Sequence, residues 1–344
     1  MFAQSRPART TPRPELSPLS IASSPHYYAF DVSKPAANVH HSQGMSTFSK
    51  ILVAIDFSAV SDEALRQADK RAQSAGAKLA VCHIVPNDLR NDLLFPHISR
   101  IAALKIPLEM NQVADEVSTR VMDVTGRASG DFEIITDDGP PHALILKRAE
   151  EWKADLIVMG SHGQNSTGDA VLGSVTSSVL RHAHSPVLIV RAGKHSSSII
   201  AGTDFSDPSL PAVKAAAEEA VRTGSQLTVV HSLDLIWSPA SYPAMAFGGA
   251  PFNMSQDQIG ELEVVAKERL DESLTKAGIT GNTLITTGPA GDALVNVAVA
   301  ENSELIVVGT TGRTGIPRAL LGSVAETVAK KAPCSVLVVR QHPK

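Results

Sequence analysis

Cysteine is nearly missing: the 344 residues hold two, Cys82 and Cys334. They share no C-x-x-C spacing, so neither a disulfide framework nor a zinc knuckle can be built from them. Each sits inside an apolar run, which predicts a small core residue, and their scarcity fits a reducing, cytoplasmic compartment. Charge is also thin. Charged residues make up 19% of the chain, below the usual quarter, so much of it should be buried. The net charge of −4 leaves no basic surplus to recruit nucleic acid. No apolar run approaches the roughly 18 residues that span a bilayer, so no membrane partner is expected. The early arginines (Arg6, Arg9, Arg13) are not followed by the apolar stretch of a secretory signal. There is no Walker A sequence. The twelve histidines are scattered, and His182 and His184, two apart on a predicted helix, point to different faces. A metal site made from them is not expected.

Residues 1–47 are rich in Pro, Ser and Ala without a sustained apolar period, which predicts a disordered N-terminal extension. Met45 would serve as a natural start, since the globular pattern begins at Phe48. At about 100–200 residues per domain, the remainder has room for two.

A repeat fills that room. ILVAIDFS (51–58) matches SIIAGTDFS (198–206), setting Asp56 against Asp204; Gly76 against Gly224 and His83 against His231 keep the same offset of 148. One extra residue then enters the second copy. Gly139 aligns with Gly288, Gly160 with Gly309, Gly173 with Gly322, and VLIVR (187–191) with VLVVR (336–340), at an offset of 149. Two domains follow, residues 48–192 and 197–341.

Within the first copy, β-rich runs at 51–55, 79–85, 132–136, 155–159 and 187–190 alternate with helical patterns near 61–75, 109–126, 141–152 and 174–184. Ser61 is the expected N-cap of the first helix. In the second copy Asp207-Pro208 opens the equivalent helix, with Leu210, Val213, Ala217 and Val221 as its buried stripe. The continuously apolar runs LIVM (156–159) and LIVV (305–308) suit parallel strands covered on both faces. Each copy therefore reads as an α/β, doubly wound, five-stranded parallel sheet of Rossmann-like type, binding ligands beyond the carboxyl ends of its strands. The stretches 86–108 and 232–256 read as mobile loops with short helical pieces.

The chemistry is expected in GSHGQNSTGDAVLGS (160–174) and GTTGRTGIPRALLGS (309–323). Both follow a buried strand and lead into a helix, and both space their glycines alike: Gly160, Gly163, Gly173 then Ser174; Gly309, Gly312, Gly322 then Ser323. Glycine lets backbone N–H groups come close to an anion. A helix N-terminus adds unpaired N–H groups and a favourable dipole. Basic residues (Arg181 and His182; Lys330 and Lys331) close the other helix end. A single such loop reads as easily as a tight turn; two identical ones favour phosphate. His162 and Arg313 lie at non-matching loop positions; Arg313 could reach a phosphate as a charge-assisted donor, and each also reads as a solvated loop side chain.

This spacing resembles the ATP-binding signature G-x2-G-x9-G-[S/T] of the universal stress protein family, over about residues 49–192 and 197–340. The IDFS and TDFS strand ends, the turns at Gly139-Pro140 and Gly288-Pro289, and the SPV and APCSV entries to the fifth strand support it. The resemblance implies strand order 3-2-1-4-5 and an adenine nucleotide (ATP, or ADP or AMP) between the first and fourth strands. It implies that Asp56 and Asp204 lie near ribose and metal-linked phosphate; from the residues alone, helix capping is the other reading. It implies adenine-lining positions at Ala54 and Gly202, Ile84 and Ser232, and Met159 and Val308. It implies phosphate contacts at the loop glycines, at Ser174, Val175 and Thr176, and at Ser323 and Val324. Ser232 replaces an apolar residue and Ala325 stands where Thr176 carries a hydroxyl, so the second site departs further from the family pattern. Mg²⁺ would arrive on the nucleotide phosphates. The resemblance also implies pairing of the two halves through their strongly apolar fifth strands, an intramolecular pseudo-dimer. A homodimer of whole chains stays open, and no motif identifies a regulatory protein partner. The expected activity is stress-response binding or regulation, without catalytic residues. An ATP-using enzyme, such as a nucleotidyl transferase or slow ATPase, is the competing class. DFSAVSDEA and DFSDPSLPA lack the HIGH-like or SGGxDS-like loops a transferase would need, and no flavin-type heterodimer layout is apparent.

Overall fold

The computed structural model describes residues 48–86, 110–163, 172–234, 255–310 and 321–340. The predicted disordered extension 1–47 and nearly all of the predicted loops 86–108 and 232–256 lie outside them.

Apolar β-branched runs form the strands and alanine-rich stripes the helices, twice in one order. The first copy runs β1 (Lys50–Ile55), α1 (Ala59–Ala75), β2 (Lys78–Val85), α2 (Met110–Thr125), β3 (Glu133–Asp138), α3 (Pro141–Trp152), β4 (Leu156–Gly160), α4 (Ser174–His182) and β5 (Val187–Val190). The second runs β6 (Ser196–Gly202), α5 (Leu210–Thr223), β7 (Gln226–Leu233), α6 (Gln256–Ala277), β8 (Asn282–Thr287), α7 (Ala290–Ala300), β9 (Ser303–Gly309), α8 (Ser323–Lys331) and β10 (Ser335–Val339).

The ten strands make one sheet in the order β3-β2-β1-β4-β5-β10-β9-β6-β7-β8. Neighbours within each half are parallel. At the centre β5 and β10 run antiparallel, with Leu188 opposite Leu337, so each edge that strand five would expose is closed by the other half. Side chains alternate across the sheet. Ile51, Val53 and Ile55 pack on one face with Leu65 and Val117, while Leu52 and Ala54 pack on the other with Ile145 and Val179. Cys82 and Cys334 are core residues, and burial pushes both thiols up to about 12.

Three local expectations are corrected. The N-cap of α1 is Ser58, whose side chain accepts from the Ser61 N–H; Phe57 adopts a left-handed φ of 64°, which ends the strand and starts the helix earlier. The third strand lies at Glu133–Asp138 rather than 132–136. In α5 the buried face is Ala212, Val213, Ala215, Ala216, Glu219 and Ala220, and Val221 is 45% exposed. A 3-10 turn at Asp207–Ser209 precedes that helix, and small alanines let it lie close to the sheet.

Candidate functional site

The carboxyl ends of β1 and β4 in the first half, and of β6 and β9 in the second, carry the expected site residues. Asp56 follows β1 directly. One carboxylate oxygen accepts the Ser58 N–H at 3.1 Å, which fixes the turn through Phe57. A Cβ added at Gly163 would overlap the other, Oδ2. Glycine lets the loop after β4 pass against the Asp56 carboxylate without displacing it. Helix capping, the other reading of this aspartate, is performed by Ser58 instead.

The second half repeats the turn. Asp204 accepts the Ser206 N–H at 3.1 Å and the Ser206 hydroxyl, and Phe205 has φ 61°. Here Thr203 stands in place of Ile55, and its hydroxyl accepts the Phe205 N–H at 3.2 Å and bonds Ser209 at 3.0 Å. Both turns rest on a histidine absent from the expected sites. His83 Nδ1 lies 2.9 Å from the Ile55 carbonyl and its ring 4.6 Å from Phe57. His231 lies 2.8 Å from the Thr203 carbonyl and its ring 4.1 Å from Phe205. Their matched positions in the repeat were the available signal.

The phosphate-type loop closes on itself at its two described ends. Ser161 N–H donates to Val190 at 2.9 Å, and Gly173 N–H returns to the Ser161 carbonyl at 2.8 Å. In the second half Thr310 N–H donates to Val339 at 3.1 Å and Gly322 N–H to Thr310 at 2.8 Å. A Cβ at Gly322 would sit 2.8 Å from that carbonyl oxygen. Gly173 and Gly322 are the N-caps of α4 and α8 and supply no side-chain acceptor. The first-turn N–H groups of Ser174 and Val175, and of Ser323 and Val324, therefore have no partner within their helices. Gly312 and Arg313 fall outside the described residues.

Thr176 is buried and donates its hydroxyl to the Gly160 carbonyl at 2.8 Å, which ties β4 to α4. His162 bonds the Ser161 hydroxyl through Nδ1 at 2.9 Å. The positions expected to line a base also differ between halves. Ala54, Ile84 and Met159 are buried in the first. In the second, a Cβ on Gly202 would meet Leu294 Cδ1 at 2.8 Å and Val308 at 3.5 Å, so Leu294 takes the room that Ala54 fills. Ser232 donates to the Gly288 carbonyl at 2.7 Å, which accounts for the polar residue there. Gly309 ends β9 as Gly160 ends β4.

The basic residues at the far end of these helices do not serve only their own carbonyls. Arg181 pairs with Glu326 of the opposite half at 2.8 Å, Lys330 with the same carboxylate, and Lys331 with Asp292. Among the described residues, no group of three or more His, Cys, Asp or Glu could hold a metal ion, and no helix is long and apolar enough to cross a membrane.

The arrangement has recognisable relatives. The model of the universal stress protein family matches residues 47–191 and again 196–340. A universal stress protein of Mycobacterium tuberculosis is 27% identical over 319 residues, covering 84% of this chain and 94% of the relative. One of Methanocaldococcus jannaschii is 37% identical over 164 residues, 45% of this chain and 89% of the relative. The crystal structure of a universal stress protein from Archaeoglobus fulgidus covers 87% of this chain and 100% of its own at 19% identity, with a TM-score of 0.56, a likeness of fold. With both halves matched, the chain belongs to the universal stress protein family as two tandem copies of its domain.

Proposed function

We propose that each domain binds one adenine nucleotide (ATP, or ADP or AMP), and that the protein acts as a stress-response binding or regulatory module. The observation that carries this reading is the meeting of Asp56 with Gly163 beside the uncapped N-terminus of α4. A carboxylate, a close-approach glycine and helix N–H groups with no partner in their own helix suit a Mg²⁺-bound polyphosphate. The N–H groups would take phosphate oxygens, and Asp56 or Asp204 would face the ribose and the metal. Ala54, Ile84 and Met159, with Gly202, Ser232 and Val308 in the other half, would line the base. Mg²⁺ would supply charge neutralisation of the phosphates, held mainly by the nucleotide itself. The reading places the protein in the cytoplasm, where its two core thiols stay reduced.

Calorimetric titration with ATP and Mg²⁺ tests it. The wild type is expected to bind close to two nucleotides per chain, and Gly163→Val and Gly312→Val to lose one each. A folded wild type that binds no adenine nucleotide would refute the proposal. Turnover at about 1–10³ per second, as for ordinary enzymes, would replace the binding module with the ATP-using alternative.

A further inference from the structure

The last residue of each VLIVR-type segment is an arginine, and in both halves it leaves its own domain. Arg191, directly after β5, is 6% exposed. Its guanidinium donates to the Ala329 carbonyl at 2.7 Å and the Cys334 carbonyl at 3.4 Å. Ala329 lies in the last turn of α8. Arg340, after β10, is 8% exposed and donates to the Leu180 carbonyl at 2.6 Å and the Arg181 carbonyl at 3.3 Å, in the last turn of α4. Arg191 and Arg340 are 149 apart, and so are Leu180 and Ala329. The exchange is therefore reciprocal: each half seats the carboxyl end of the other half's loop-following helix.

These contacts are costly to build. Burial pushes the pKa of both guanidinium groups down. Among the described residues Arg340 Nε has no hydrogen-bond partner, and neither arginine has a carboxylate within ion-pair distance. Helix C-terminal carbonyls carry the partial negative charge that offsets the cost. Apolar packing would serve stability at least as well, which argues for a role beyond cohesion.

The same strand ends also hold the loops. Val190, next to Arg191, accepts the Ser161 N–H, and Val339, next to Arg340, accepts the Thr310 N–H. Gly173, the N-cap of α4, is thus linked through Ser161, Val190 and Arg191 to the C-terminus of α8. Gly322, the N-cap of α8, is linked through Thr310, Val339 and Arg340 back to α4. The links close into a ring that passes both helix N-termini.

We propose that Arg191 and Arg340 are positioning residues that seat each domain's anion-facing helix from the opposite domain, so that the two sites are coupled. This rests on the nucleotide reading above. A nine-residue helix is about 13 Å long, so the arginine acts on the far end mainly by fixing where the helix sits. Each arginine then governs the site of the other half more than its own, although its own loop is closer in sequence.

The test is calorimetric titration of the full chain with ATP and Mg²⁺ in two backgrounds, Gly163→Val, leaving the second site to report, and Gly312→Val, leaving the first. Arg191→Met is expected to weaken the second site about tenfold and the first less than about threefold, within the usual range of coupling between sites. Arg340→Met should give the mirror image. Arg191→Lys, which keeps one donor for the Ala329 carbonyl, should restore most of the affinity. Amide hydrogen exchange without ligand gives a second readout: Arg191→Met should speed exchange at the hydrogen-bonded amides of Gly322 and Glu326 more than at those of Gly173 and Ser177. Equal weakening of both sites, or exchange that rises only in the arginine's own domain, would overturn the coupling alone. Two bound nucleotides in the wild type with no crossed effect would do the same, whereas no binding in the wild type would overturn the nucleotide reading and this inference with it.

Discussion

The two halves share a frame and differ in what braces it. In the first, α2 and the segment after it are tied to α1 by ion pairs of Arg120 with Asp62 and Arg127 with Asp69. In the second, the positions of Asp62 and Asp69 hold Leu210 and Ala217, and Arg269 of α6 lies instead over the Phe205 ring, 5.0 Å from its centroid. Beside the Asp56 turn stands Ile55; beside the Asp204 turn, Thr203 adds two hydrogen bonds. Where the halves meet, the difference becomes complementarity. Arg71 and Glu219 occupy equivalent positions of the repeat, 148 apart, and pair with each other across the junction at 2.9 Å, both nearly inaccessible. A symmetric dimer of either half would set like charges together there. Within one chain the two copies differ at that position, while their loop glycines and aspartates are alike.

The largest effect should come from breaking that pair. Glu219→Ala leaves Arg71 buried with only the Gln67 carbonyl and amide as acceptors, and loss of one partner of a buried pair costs about 3–5 kcal/mol. Urea unfolding should show it, and Arg71→Met with Glu219→Leu should recover most of the loss. The pH dependence has a defined sign. Burial alone would push the Glu219 carboxyl up, but Arg71 and Arg222 override it and hold it below its ordinary value of 4.5. Its contribution is therefore present above pH 4.5 and lost as the pH falls through the lower folded value, so the gap between wild type and Glu219→Ala should narrow in acid. A gap that stayed constant would mean that the pairing with Arg71 is not what stabilises the junction.

A smaller effect tests the difference between Thr176 and Ala325. Thr176→Val removes the one donor that the buried Gly160 carbonyl receives from α4. An unmet buried polar group costs about 1–3 kcal/mol, and the loss should stay local to the first domain. Hydrogen exchange should quicken in α4 and leave α8 unchanged, since α8 has Ala325 at that position already. If α8 responded equally, the domains would not be separable in this respect.

The sequence made the shared features legible and the divergent ones obscure. Glycine spacing, strand runs and the apolar fifth strands repeat in register, so each copy supports the reading of the other. The Ser58 cap was missed because Ser58 and Ser61 both suit a helix start, and only the left-handed Phe57 decides between them. The α5 stripe differs from the expected one because its buried face is made mostly of alanines, which mark an apolar face weakly but let the helix lie close to the sheet. Arg71 and Glu219 carry no local signal of burial, since an isolated charge on a helix is ordinarily solvated. Aligning the copies sets opposite charges at one position, and that was the signal available. Arg191 and Arg340 matched in both copies, but the contacts that engage them lie 138 and 160 residues away, beyond any local pattern.

The smallest expected effect concerns the second adenine-type wall, and it separates architecture from ligand preference. Ser232 replaces Ile84 and spends its hydroxyl on the Gly288 carbonyl, while Gly202 replaces Ala54 and Leu294 moves into the room. Ser232→Ile would remove that hydrogen bond, worth about 0.5–1.5 kcal/mol, and add apolar surface of the kind Ile84 presents in the first half. The two changes oppose each other in stability but not in binding, because only the apolar surface would touch the base. Titration in the Gly163→Val background, where the second site reports alone, should show affinity for ATP rising by about threefold or less, within the roughly 1–3 kcal/mol ceiling on small changes in an apolar pocket. Unfolding temperature should change little. If affinity fell instead, the Ser232–Gly288 bond would be holding the site in shape, and the second half would be a site with its own preference rather than a weaker copy of the first.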